Sequence, residues 1–66
     1  MNVIINGKSA SLSEGATVEG LVRLRGLDPG TVIIEYNFAP LKRDEWAGTV
    51  LKEGDRVEIL RFVGGG

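Results

Sequence analysis

Met1, Val3 and Ile5 alternate with Asn2, Ile4 and Asn6, the period of two expected of a strand with one buried face; Ile4 is the apolar exception on the other face. Asn6-Gly7 follows, and both residues tolerate the positive φ that a type I′ turn requires, so Lys8 to Leu12 is predicted to return antiparallel. After the loop Ser13-Glu14-Gly15, the residues Val18, Leu21, Val22 and Arg25 fall at i, i+3, i+4 and i+7. Thr17 is placed as an N-cap and Gly26 as a left-handed stop, which predicts a helix of about two turns. Gly20 stands where a capping box would place Glu or Gln, and glycine there costs roughly 1 kcal/mol relative to alanine. Such a helix does not persist alone in water, so packing on a sheet must hold it.

Leu27-Asp28-Pro29-Gly30 reads as a turn and Thr31 to Asn37 as a strand. Val32, Ile33 and Ile34 are consecutive and β-branched, which predicts burial on more than one side, with Glu35 and Asn37 marking the face that reaches water. Pro40 cannot donate to a ladder, so Phe38 to Leu41 is at most a short edge segment. Lys42 to Gly48 accommodates one helical turn with Trp46 turned inward, and Lys52-Glu53-Gly54-Asp55 forms another turn. In the last strand, Arg56 to Phe62, Val57 and Ile59 share one face while Leu60 and Phe62 share the other. Apolar residues on both faces and no proline make this the expected central strand. A hairpin, a helix and later strands in so short a chain predict an α+β layer pair, one sheet with the helix across one face.

Sixty-six residues make one domain, and a chain of this size buries only about 60% of the surface its unfolded form exposes. Hydrophobic residues at 42% and charged residues at 26% describe a globule and exclude disorder. The chain has no cysteine and no histidine, which excludes a disulfide framework, a zinc-thiolate site and any triad that needs histidine. A net charge of -1 provides no excess of cations for a phosphate backbone, so nucleic acid is not expected as a partner. No apolar run approaches the roughly 20 residues of a membrane span, and the start lacks a basic segment followed by a long apolar one, so a cytoplasmic protein without membrane contact is expected. Trp46 reads as core, Arg61 equally as a solvated strand charge or as the mate of an acidic residue on a partner, and the acidic pairs Asp44/Glu45 and Glu53/Asp55 as solvated turns, since neither has the spacing of a calcium loop.

Gly64-Gly65-Gly66 follows directly on the last strand, which divides the chain into a domain over 1–63 and a flexible glycine tail over 64–66. A carboxylate on an arm without side chains can thread a narrow channel on a partner. It is inert until converted to a better electrophile, for instance an acyl-adenylate formed from ATP. The chain has no GxxxxGK[ST] loop, so ATP must be handled by a second protein, and the chain reads as a substrate or carrier, not an enzyme.

Over essentially its whole length the chain resembles the sulfur carriers of thiamine biosynthesis, the ThiS family of ubiquitin-like proteins. The resemblance rests on the opening strand with Asn6-Gly7, on Gly15-Ala16-Thr17-Val18 with Leu21 and Leu24, and on Leu27 after Gly26. Arg43-Asp44-Glu45-Trp46-Ala47 and the closing run from Leu51 through Gly54-Asp55-Arg56 to Gly64-Gly65-Gly66 complete it. It implies a β-grasp fold, a mixed sheet of four to five strands with one short helix packed across one face. It also implies that an adenylating enzyme (ThiF-like) uses Mg-ATP to activate the Gly66 carboxylate. With sulfur from a sulfur-donating enzyme, Gly66 would become a thiocarboxylate for a thiazole synthase (ThiG-like), and the carrier would hold no cofactor of its own. Gly64 and Gly65 would thread into the partner; Leu60, Phe62, Val63 and Ile4 would form the docking patch; and the free protein would be a monomer. A carrier for molybdopterin or tRNA thiolation and a ubiquitin-like modifier or interaction module are the alternatives. The resemblance departs at Asn37-Phe38, where relatives usually show Asn-Gly, which leaves open a turn of different construction.

Overall fold

The computed structural model describes residues 1–61. Five strands, β1 (Asn2–Ile5), β2 (Lys8–Ser11), β3 (Val32–Tyr36), β4 (Ala39–Leu41) and β5 (Arg56–Arg61), form one mixed sheet in the order β2-β1-β5-β3-β4. The β1·β2, β3·β5 and β3·β4 pairs are antiparallel and β1·β5 is parallel. With helix α1 (Val18–Leu24) on one face, this is the expected β-grasp arrangement. The predicted central place of the last strand holds.

The first hairpin is built as the sequence predicts, with Asn6 at φ 50 and Gly7 at φ 81. Asn6 does more than turn the chain: its Oδ1 accepts from the Ile59 amide at 2.7 Å, so the side chain extends the β5 ladder beyond the end of β1. Thr17 caps α1, its Oγ1 accepting from the Gly20 amide at 3.0 Å, and Gly26 takes φ 68 after the last turn. The Val18 amide donates to the Thr49 carbonyl at 3.1 Å and the Glu19 amide to the Trp46 carbonyl at 3.2 Å, so amides left open by the first turn are satisfied by tertiary contacts.

Between sheet and helix lie Val3, Ile5, Val32, Ile34, Val57 and Ile59 from the strands, Val18, Leu21 and Val22 from α1, and Trp46 and Leu51 from the segment between β4 and β5. Trp46 is 2% exposed, and its indole N–H donates to the Leu41 carbonyl at 3.2 Å, which meets the polar requirement of a buried tryptophan. A short 3-10 turn, Arg43–Glu45, aims it inward, the Glu45 carboxylate accepting from the Lys42 amide at 3.1 Å.

Three expectations need correction. Ile33 is 44% exposed, so β3 is buried on one face only; the run Val32-Ile33-Ile34 places its middle residue on the outer face, together with Glu35. The Asn37-Phe38 turn has the same left-handed build as the first hairpin, with φ 49 and φ 71, so a phenylalanine occupies a backbone position that favours glycine. Asp55 does not sit in a solvated turn: it is buried, 8% exposed, and hydrogen-bonded on both oxygens.

Candidate functional site

β5 has neighbours on both sides and leads toward the glycines, so the candidate site consists of its last residues and the outer face of the sheet around them. Side chains alternate along β5: Val57 and Ile59 enter the core, while Arg56, Glu58 and Leu60 point to the outer face. The register aligns each with a neighbour. Leu60 stands opposite Ile33 and Glu58 opposite Glu35 on β3, while Arg56 stands beside Ile4 on β1.

This register sorts the docking residues that the sequence nominates. Leu60, 48% exposed, lies on the outer face as expected. Ile4 shares that face but sits beside Arg56, four residues back along β5, or roughly 13 Å at strand rise. Its distance separates it from the Leu60 patch, and Ile33 takes the place beside Leu60. Phe62, Val63, Gly64, Gly65 and Gly66 lie outside the described residues, as does the proposed boundary between domain and tail. Ile33 and the pairing of Glu35 with Glu58 escape a reading of sequence alone, because only strand register shows which residues of β3 and β5 meet.

The root of β5 is anchored by a polar cluster. One Asp55 carboxylate oxygen accepts from the Tyr36 hydroxyl at 2.7 Å and the Lys52 amide at 2.9 Å, and the other from the Asn37 side-chain amide at 3.2 Å. Asn37 in turn accepts from the Arg56 amide at 2.9 Å. Burial acts to raise the Asp55 pKa, but the hydrogen bonds from Tyr36, Lys52 and Asn37, with the Lys52 charge, outweigh it and hold the carboxyl below its ordinary 3.8. The hydrogen bond to that carboxylate, then burial, then its negative charge push the Tyr36 hydroxyl above 10.0. With every oxygen engaged by the protein itself, the cluster is a structural clamp with no atom to spare for a ligand. Among the described residues, no group of His, Cys, Asp or Glu is arranged to hold a metal ion, and no helix is long and apolar enough to cross a membrane.

The family model for the ThiS family matches residues 3–66, which includes the final glycines. The chain belongs to the ThiS family of sulfur carriers. A crystal structure of a thiamine biosynthesis protein (ThiS) from Geobacter metallireducens is 36% identical, superposes with a TM-score of 0.83, and is matched over 100% of both chains. A solution structure of a thiamine biosynthesis protein from the same organism gives 35% identity and the same TM-score, over 100% of this chain and 88% of that one. Two proteins named thiazole synthase, from Magnetococcus marinus and Paramagnetospirillum magneticum, are 36% and 35% identical over all 66 residues. The chain spans only 20% of the length of these two relatives, so most of each lies outside the matched segment.

Proposed function

We propose that this ThiS-family chain carries sulfur as a thiocarboxylate on Gly66 and delivers it to a thiazole synthase in thiamine biosynthesis. The observation that carries the reading is the family match through Gly64-Gly65-Gly66 on a chain that has no cysteine of its own. In the proposed sequence the Gly66 carboxylate attacks the α-phosphorus of ATP on a ThiF-like adenylating enzyme, releasing pyrophosphate and leaving an acyl-adenylate. A reduced sulfur nucleophile, supplied by a cysteine-consuming enzyme, then displaces AMP, and the carbonyl carbon ends bonded to sulfur in place of one oxygen. The carrier contributes an unhindered electrophile and a docking surface, while activation and sulfur release belong to its partners. The thiazole synthase is the proposed acceptor because proteins of that name contain a segment matching this whole chain.

An intact-mass measurement tests this. The protein is incubated with Mg-ATP, its adenylating enzyme and a cysteine-derived sulfur source, beside a variant lacking Gly66. A gain equal to the exchange of one oxygen for sulfur, absent from the truncated variant, is expected. No gain with an adenylating enzyme that is active on another carrier refutes the sulfur reading and favours an interaction module.

A further inference from the structure

The chain has three asparagines, and they differ in what surrounds the side-chain amide. Asn2 precedes Val3, a β-branched residue buried in the core. Asn37 precedes Phe38, and both ends of its side chain are engaged, Nδ2 donating to Asp55 Oδ1 at 3.2 Å and Oδ1 accepting from the Arg56 amide at 2.9 Å. Asn6 precedes Gly7, so no side chain shields the next backbone nitrogen, and the space a Cβ would occupy there is empty. Asn6 is exposed and its Oδ1 accepts from the Ile59 amide at 2.7 Å; among the described residues no group bonds its Nδ2 or the Gly7 amide.

These are the parts of an intramolecular attack on a carboxamide. The Gly7 nitrogen, giving its proton to hydroxide or water, bonds to Asn6 Cγ; the Cγ–Nδ2 bond breaks and Nδ2 leaves, protonated, as ammonia. One water then opens the five-membered succinimide at either carbonyl to give aspartate or isoaspartate, so water is consumed, ammonia is released and no oxidation state changes. The folded turn withholds this reaction. In a type I′ turn the Gly7 nitrogen lies nearly opposite Cβ across the Asn6 Cα–C bond, whereas ring closure needs the two on one side. With Asn6 at φ 50 and its Oδ1 tied to β5, the turn must open and that hydrogen bond must break before Cγ meets its nucleophile. We infer that Asn6 is this chain's site of spontaneous deamidation, gated by opening of the first hairpin, and that the isoaspartate product severs the tie between the hairpin and β5. Aspartate keeps an oxygen in place for the Ile59 amide. Isoaspartate routes the main chain through Cβ and Cγ, which lengthens the turn, and its free carboxylate sits directly on Cα, short of the Ile59 amide. The damage thus falls on the strand that leads to Gly66.

The test ages the full chain at mildly alkaline pH, folded and in urea, and follows its tryptic peptide Met1–Lys8 by mass, fragmentation and chromatography, which separate aspartate from isoaspartate. A mass gain equal to the exchange of NH for O is expected at Asn6 ahead of Asn2 and Asn37, about tenfold or more slower in the folded protein because the hairpin must first open. The isolated isoaspartate form is expected to exchange its Ile59 amide about tenfold faster or more than the wild type and to melt roughly 4–8 °C lower, as the loss of one backbone hydrogen bond requires. Asn6→Asp, which keeps the acceptor, is expected to stay close to the wild type in both. If N6D fails to fold, the aspartate product isolated from the aged protein supplies the same comparison. Equal rates in folded and unfolded protein overturn the gating, and faster loss at Asn2 or Asn37 overturns the site. An isoaspartate form with the Ile59 exchange of the wild type overturns the tie to β5.

Discussion

Replacing Asp55 by asparagine removes a charge and one acceptor without changing shape, and the structure limits how the protein can respond. The carboxylate accepts three hydrogen bonds, from the Tyr36 hydroxyl, the Lys52 amide and the Asn37 side chain. An asparagine oxygen turned toward Tyr36 and Lys52 keeps two of them, at neutral strength, and presents its NH2 to the Asn37 NH2. Asn37 can flip to answer it, but then its own NH2 faces the Arg56 amide, which it now serves as acceptor at 2.9 Å. Every arrangement leaves one donor facing a donor, so the minimum cost is about one hydrogen bond to a charged group, roughly 1.5–3 kcal/mol. For 66 residues total stability is on the order of 3–10 kcal/mol, and each kcal/mol moves the melting temperature by about 4–8 °C. The assay is urea and thermal unfolding followed by Trp46, the sole tryptophan and a buried one. A gap below about 0.5 kcal/mol near neutral pH would refute the reasoning, being smaller than one ordinary hydrogen bond. A pH series adds a second check. Because the folded carboxyl lies below its ordinary 3.8, its contribution is fully present above that value and is lost as pH falls through the folded pKa, so the gap between wild type and variant must close on acidification.

The Tyr36 hydroxyl, raised above 10.0, predicts the opposite sign at the alkaline end: its contribution is present below that value and lost as pH rises through the folded pKa, and Tyr36→Phe should remove this alkaline loss from an unfolding series. Phe38→Gly should raise stability by about 0.5–1 kcal/mol in urea unfolding, since release of a left-handed non-glycine residue, about 1–2 kcal/mol, exceeds the exposed contact with Arg56 of about 0.5–1; a loss would show that the ring contact outweighs the strain. Gly20→Ala should stabilise by less than the roughly 1 kcal/mol of alanine's helix propensity, because the new Cβ meets the Thr17 Oγ1 at 3.3 Å and the capping hydroxyl must yield a few tenths of an ångström. A net loss in thermal unfolding would mean that the cap gives way instead.

What could be read from the chain divides along a physical line. Local chemistry was legible: Asn6-Gly7 demands a left-handed turn, Thr17 and Gly26 bracket a helix, and Pro40 confines its strand to an edge. The family resemblance likewise rests on contiguous runs. What was not legible depends on pairing between distant segments. Ile33 sits in a run of β-branched residues whose period is lost, so nothing local shows that it faces out with Leu60. Asp55 sits between glycine and arginine, a context typical of a solvated turn, and beyond the local bond from the Lys52 amide it is paired by Tyr36 from β3 and Asn37 from the turn after it, which no local pattern shows.

Asn37-Phe38 shows how the two levels meet. The backbone there is set by the sheet: β3 and β4 pair with Tyr36 opposite Ala39, a two-residue connection whose twist requires left-handed residues at both positions. Asn37 meets that demand and is also tied down by Asp55 and Arg56, so the turn stays fixed even with phenylalanine, an unfavourable residue, in the next position. The ring, 78% exposed, gains little from burial; its one described partner is the Arg56 guanidinium. Arg56 held on Phe38 is an arginine withheld from Glu58 and Glu35. The strained residue at the hairpin tip and the like-charge pair of Glu35 and Glu58 at the centre of the outer face are thus two ends of one arrangement.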